Sequence, residues 1–190
     1  MPAADAENGS TFVRSQRYIG ERVTVALAAI DPSSIARAVE ILLKAPQVFV
    51  YGAGRSGIIG RAFAMRLVQA GLRAYVIGES VTPIVRHGDA VFVLSAQGES
   101  YTSIQTANIV RREGAELIVL TSKPGSKIAH AASHLLTVEF EDDPDRPRYA
   151  PLGTLFEEAS LRLTDGIIAE LIRVRGETEA SMRRRHAIMV

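Results

Sequence analysis

The stretch Val48-Phe49-Val50-Tyr51-Gly52-Ala53-Gly54-Arg55-Ser56-Gly57 decides the fold. An apolar run enters a turn of small residues, and Ile58 to Leu67 continues at once with a helical pattern. The arrangement returns at Val91-Phe92-Val93-Leu94, then Ser95-Ala96-Gln97-Gly98-Glu99-Ser100, then a helix-like segment to Arg112. A strand, tight turn and helix leave unpaired backbone N–H groups at the positive end of a helix dipole, a setting that suits a phosphate. Two such turns on adjacent strands can hold one anionic ligand between them. Each turn alone also reads as a plain βα connection with capping serines.

Outward from these turns, apolar runs at 47–51, 73–77, 90–95, 116–121 and 134–138 alternate with helix-like segments at 56–70, 100–113 and 126–132. The runs are rich in Val, Ile and Leu without strict alternation, as strands covered on both faces are. This predicts an α/β fold: three α/β/α layers around a five-stranded parallel sheet with right-handed crossovers, in the flavodoxin-like order 2-1-3-4-5. Strands one and three are then neighbours at the topological switch point, where open α/β sheets bind ligands. Gly71 and Gly114 stand where helix ends favour a left-handed residue.

Ahead of the sheet, Phe12, Ile19, Val23, Leu27 and Ile30 recur at helical spacing until Asp31-Pro32, and Asp31 or Ser33 caps a second helix through Leu43. The first helix has no place in the sandwich, so it covers the core or packs on a partner. Beyond the sheet lies a polar, proline-broken loop at 141–148. A long helix then runs from Leu152 to Val174, with Gly176 as its stop. A short helix from Glu177 to about Arg184 and a tail carrying His186 follow. One domain over 1–190 is expected, with 1–10 a flexible leader.

Composition narrows the function classes. A net charge of +1 gives little long-range pull on nucleic acid or an anionic membrane, so anion binding has to be local. There is no cysteine for disulfides or thiolate metal sites. The leader lacks the apolar core of a signal peptide, and no apolar run approaches a membrane span, so a cytoplasmic location is expected.

Gly52, Gly54 and Gly57 also read as G-x-G-x-x-G, with Glu79 placed for a ribose hydroxyl, which leaves a dinucleotide open. Ser56 inside the turn favours a terminal phosphate instead, and Ser95, Gln97 and Ser100 add donors in the second turn. No G-x-x-x-x-G-K-[ST] motif is present.

The first turn with Arg61-Ala62-Phe63-Ala64-Met65-Arg66-Leu67 resembles the sugar isomerase (SIS) family of phosphosugar-binding domains. So do Gly78-Glu79-Ser80-Val81-Thr82-Pro83, the second turn, Thr121-Ser122-Lys123-Pro124-Gly125-Ser126 and Pro151-Leu152-Gly153-Thr154-Leu155-Phe156-Glu157. The match runs over about residues 48–175, and the segments around Phe63 and Phe156 are closest to its 6-phospho-3-hexuloisomerase branch.

The resemblance implies that Gly54, Arg55, Ser56, Ser95, Gln97 and Ser100 seat a sugar phosphate. Here Gln97 replaces a serine and Ser100 a threonine of the family pattern, and both keep a donor. It implies Glu157 as the base for a carbon-bound proton and His186 as the group that works at sugar oxygens. A carboxylate base of this kind is expected to need burial, or an acid such as Glu158 beside it, to offset the helix dipole. The same resemblance implies a cofactor-free homo-oligomer, a tetramer, acting on a phosphorylated ketohexose. Three rivals stand beside it: a non-catalytic phosphosugar sensor, an isomerase of another phosphosugar, and a dinucleotide binder. His87, His130 and His134 read as loop or structural histidines, no residue set has metal-ligand spacing, and Arg183-Arg184-Arg185 reads as a solvated helix end.

Overall fold

The computed structural model describes residues 10–188; most of the expected leader, residues 1–9, lies outside them. Ser10 is extended and its hydroxyl accepts from Val13 N–H, which starts α1 (Thr11–Ala28). Asp31 accepts from Ser33 N–H and Pro32 occupies the first turn, so α2 (Pro32–Lys44) begins where the sequence places it.

From there the chain alternates: β1 (Val48–Gly52), α3 (Arg55–Gln69), β2 (Ala74–Val76), β3 (Ala90–Leu94), α4 (Tyr101–Arg112), β4 (Glu116–Thr121), α5 (Lys127–Ala131) and β5 (His134–Thr137). The sheet is five-stranded and parallel, in the order β2-β1-β3-β4-β5. The remaining helices are α6 (Arg146–Tyr149), α7 (Thr154–Arg175) and α8 (Glu179–Arg184).

Parallel strands expose side chains on both faces, and each face has its own core. Val48, Val50, Phe92, Leu94, Ile118 and Leu120 meet α1, α2, α3 and α7. Phe49, Val91, Val93, Leu117 and Val119 meet α4 and α5. Phe63 and Phe92 sit edge to face with centroids 5.0 Å apart, and fully burying side chains of this size contributes about 1.5–3 kcal/mol each. Helix α1 covers the core: Val23 and Ala26 are buried in the cluster that holds α7.

Most boundaries shift by a residue or so from the sequence reading, and three differences have a distinct cause. The long helix starts at Thr154, because Leu152 takes a left-handed φ of 57° that no helix can include. The last helix starts at Glu179, two residues later than the sequence reading, since Thr178 and Ser181 form a capping box. Inside the polar loop, Asp143, Asp145 and Pro147 set up the short helix α6, which the proline-broken pattern concealed.

Candidate functional site

Parallel pairing sets Gly52 beside Leu94 and Leu94 beside Leu120, so the turns after β1, β3 and β4 leave one edge of the sheet side by side. The first turn can be this tight only because Gly52 and Gly57 lack side chains. A Cβ on Gly52 would stand 2.8 Å from Gly57 N, and one on Gly57 would strike the Gly52 carbonyl. In the second turn Gly98 has φ 67°, and a Cβ there would overlap the Ser126 hydroxyl.

The helices at this edge begin without side-chain caps. Neither Gly54, Ser100 nor Gly153 makes a capping bond for α3, α4 or α7, whereas Ser10, Asp31 and Thr178 cap α1, α2 and α8 elsewhere. After β3, Ile104 is the first amide to bond back, to Ser100 O at 2.9 Å, and those of residues 97–103 meet no backbone acceptor among the described residues. After β1, Gly57 is the first, to Gly54 O at 3.0 Å. Ser100 Oγ stands 3.0 Å from Thr102 Oγ1, Ser95 is buried at the end of β3, Ser56 is half-buried, and Gln97 is exposed. Open amides and hydroxyls of this kind bind an anion by hydrogen bonds and the helix dipole, without a cation.

Glu157 enters from α7. Its carboxylate, with the side chain 13% exposed, meets Arg55 of the first turn at 2.5 Å. A Cβ on Gly153 would lie 2.8 Å from Glu157 Oε1, so only a glycine leaves room for that carboxylate here. Glu158, the expected acidic neighbour, lines the same space but is paired with Arg162 at 3.1 Å. The partner that meets Glu157 is therefore a guanidinium.

Two cavities flank Gly153 and Glu157. One, of about 250 Å³, lies between α1, α3 and α7 and is lined by Gln16, Arg55, Glu157 and Arg162. The other, of about 190 Å³, is lined by Gln97, Ser122, Lys123, Arg146, Gly153 and Phe156. Ser56, Ser95 and Ser100 line neither. Thus Arg55 and Glu157 come together in one cavity, Gln97 and Gly153 line the other, and Ser56, Ser95 and Ser100 belong to the turns without facing either.

His186 does not join this group. Arg185 beside it donates to Gln69 O at 3.0 Å, at the far end of α3, and α3 is about 22 Å long at 1.5 Å per residue. The imidazole is exposed, with Nδ1 2.8 Å from Ala187 O.

Ser122 and Lys123 lie in the Thr121–Ser126 segment that carries the resemblance, within a third strand–turn–helix at 116–131, but the sequence reading gave neither a role; Arg146, in the polar loop, had none either. Among the described residues no group of acids and histidines could hold a metal ion, and no helix is long and apolar enough to cross a membrane.

Residues 41–151 match the SIS domain family. A Methylomonas aminofaciens protein named 3-hexulose-6-phosphate isomerase is 37% identical over 145 residues, covering 75% of this chain and 80% of its own. One of the same name from Methanocaldococcus jannaschii is 32% identical over 148 residues, 78% and 79% of the two chains. A solved Methanococcus jannaschii structure, whose inferred function is 3-hexulose-6-phosphate isomerase, superposes with a TM-score of 0.84 at 25% identity over 93% of this chain and 99% of that one. With its five-stranded 2-1-3-4-5 sheet and its doubled turn at the switch point, the chain belongs to the SIS domain family of phosphosugar isomerases and binding domains.

Proposed function

We propose that this protein is a 6-phospho-3-hexuloisomerase, interconverting D-arabino-3-hexulose 6-phosphate and D-fructose 6-phosphate. The observation that carries the reading is Glu157: a carboxylate on the first turn of α7, against Gly153, beside two uncapped βα turns. The relatives of that name supply the substrate.

The amides and hydroxyls of the turns at Gly54–Ser56 and Ser95–Ser100 seat the phosphate. The sugar then extends over Gly153. Glu157 takes the proton from C2 of the 3-ketose, the electrons pass to the C3 oxygen as an enediolate, and the proton returns to C3 as the C2 carbonyl forms. The hydroxyl proton moves from O2 to O3 in the same exchange, which is the task assigned to His186. Since α8 holds that residue at the far end of α3, it serves the site of a neighbouring subunit, and the working form is a homo-oligomer, a tetramer by resemblance to the family. No cofactor takes part. The setting is the cytoplasm, in assimilation of formaldehyde through ribulose monophosphate.

Conversion of 3-hexulose 6-phosphate, followed by a coupled assay for fructose 6-phosphate, tests the reading. Turnover supports it; binding of fructose 6-phosphate without turnover would instead make the protein a phosphosugar sensor. A ligand at 100 times its Kd adds ~2.7 kcal/mol, so fructose 6-phosphate should raise the Tm clearly and NAD should not.

A further inference from the structure

The loop between β5 and α7 carries one side chain that nothing in the fold accounts for. Arg146 is half-buried and faces the cavity of about 190 Å³ with Gln97, Ser122, Lys123 and Gly153. Among the described residues its guanidinium has neither a hydrogen bond nor an ion pair. Other arginines without partners, such as Arg17, Arg73, Arg86, Arg111 and Arg184, stand in solvent, where water satisfies them. The Arg146 nitrogens are not shielded from solvent, so water in the cavity meets them and a ligand oxygen can take its place.

Its position is not loose. Asp143 pairs with Arg22 of α1, and Asp145 N–H donates to Asp143 Oδ1 at 2.8 Å. Ser15 Oγ donates to Tyr149 O at 2.6 Å, Tyr18 and Tyr149 rings lie 5.8 Å apart, and Ala150 is fully buried. The helix α6 is thus braced on α1 at both ends. Two acids share the cavity, yet neither neutralises Arg146. Glu141 has a side chain 92% exposed and reaches only Arg22, at 3.8 Å, and Asp142 is exposed. Opposite Arg146, the Ser122 hydroxyl is shielded from solvent and also lacks a partner.

We propose that Arg146, with Ser122, binds the sugar oxygens of the substrate at the end away from the phosphate. The inference rests on the isomerase reading and deepens it. The cavity is too small for a dinucleotide, since pockets for drug-sized ligands run from about 300 Å³ upward, but it suits the carbonyl end of one hexulose. The planar guanidinium offers donors in a fixed fork, which matches two vicinal oxygens better than a single one. Gly153 lines this cavity and a Cβ on it would lie 2.8 Å from Glu157 Oε1, so the proposal sets the oxygens that Arg146 holds at the carbons between which the proton moves. The fork therefore selects sugars with adjacent oxygens on the first three carbons.

Calorimetric titration of wild type, Arg146→Gln and Arg146→Lys with fructose 6-phosphate and with inorganic phosphate tests this. The expected result is a loss of at least tenfold in fructose 6-phosphate affinity for Arg146→Gln, a smaller loss for Arg146→Lys, and unchanged inorganic phosphate binding in both. Equal fructose 6-phosphate affinity in wild type and Arg146→Gln overturns the inference while leaving the isomerase reading intact. A parallel loss of both ligands also overturns it, because Arg146 is then a phosphate ligand. Failure of the wild type to bind fructose 6-phosphate at all sinks both readings. Should Arg146→Gln not fold, Ser122→Ala carries the test: a several-fold loss for the sugar phosphate alone supports the assignment, and no loss overturns it.

Discussion

The two ends of α3 treat the same kind of unpaired backbone group in opposite ways. At its carboxyl end the carbonyls of Gln69 and Gly71 accept from Arg185 at 3.0 Å and Arg175 at 3.4 Å. Glu177 in turn holds Arg185 by two bonds, at 2.8 and 2.9 Å. At its amino end no side chain caps the helix, and the turn is folded so tightly that only glycines fit. The same division separates α1, α2 and α8, which are capped, from α4 and α7, which are not. Closed and open helix ends are thus separated in the fold, and the open amino ends of α3, α4 and α7 lie at a single edge of the sheet.

Substitutions at the open edge and at the closed one should therefore have opposite signatures. The largest effect is expected at Glu157: Glu157→Gln should lower kcat by about 10²–10⁴-fold, the usual share of a positioned proton-transfer group, with binding of fructose 6-phosphate retained. Turnover near the wild-type rate would refute its role. Next comes Ser100→Ala. A hydrogen bond to a charged group contributes about 1.5–3 kcal/mol, so KM should rise by roughly 10–100-fold. Urea unfolding should barely change, because Ser100 caps nothing; a clear loss of stability would blur the division.

Asp31→Ala should show the reverse: about 1 kcal/mol lost in urea unfolding, as for other N-caps, and kcat/KM unchanged. A kinetic effect at Asp31 would show that the capped ends are not passive. The smallest effect lies in acid. Glu177 is held at about 2 by its hydrogen bonds to Arg185 and then Ser181, against an ordinary 4.5. A depressed carboxylate stabilises the fold above its unfolded value and loses that contribution as pH falls through the folded one. Between about pH 4.5 and 2, the Tm of wild type should therefore fall more steeply than that of Glu177→Gln; parallel curves would remove the Glu177 clamp from the account.

The sheet order and both turns were legible because they are local signals summed along the chain: apolar runs of strand length, glycines where a Cβ collides, and a repeated strand–turn–helix. Along α7, Leu155, Phe156, Ala159, Leu163, Ile167 and Leu171 recur at helical spacing and lie buried for the same reason, whereas Val174, the last of that apolar stripe, is 50% exposed. What escaped was non-local or strained. Leu152 at φ 57° delays α7, since nothing in a Pro-Leu-Gly triplet announces which residue turns left-handed. The Arg55–Glu157 pair joins residues from opposite ends of the sheet sequence, and it displaced Glu158 as the neighbour of the carboxylate.

Periodicity and glycine placement, being properties of neighbours along the chain, determined by themselves that this sequence folds as a parallel 2-1-3-4-5 sheet with two amide-rich turns at its switch point. Only the tertiary structure decided that Glu157 faces a guanidinium, that Arg146 stands unpaired in the cavity that Gly153 lines, and that His186 is held at the far end of α3. The physical reason is that charge pairing and burial depend on distances through space, and packing of α1, α6 and α8 sets those distances long after the local pattern has been read.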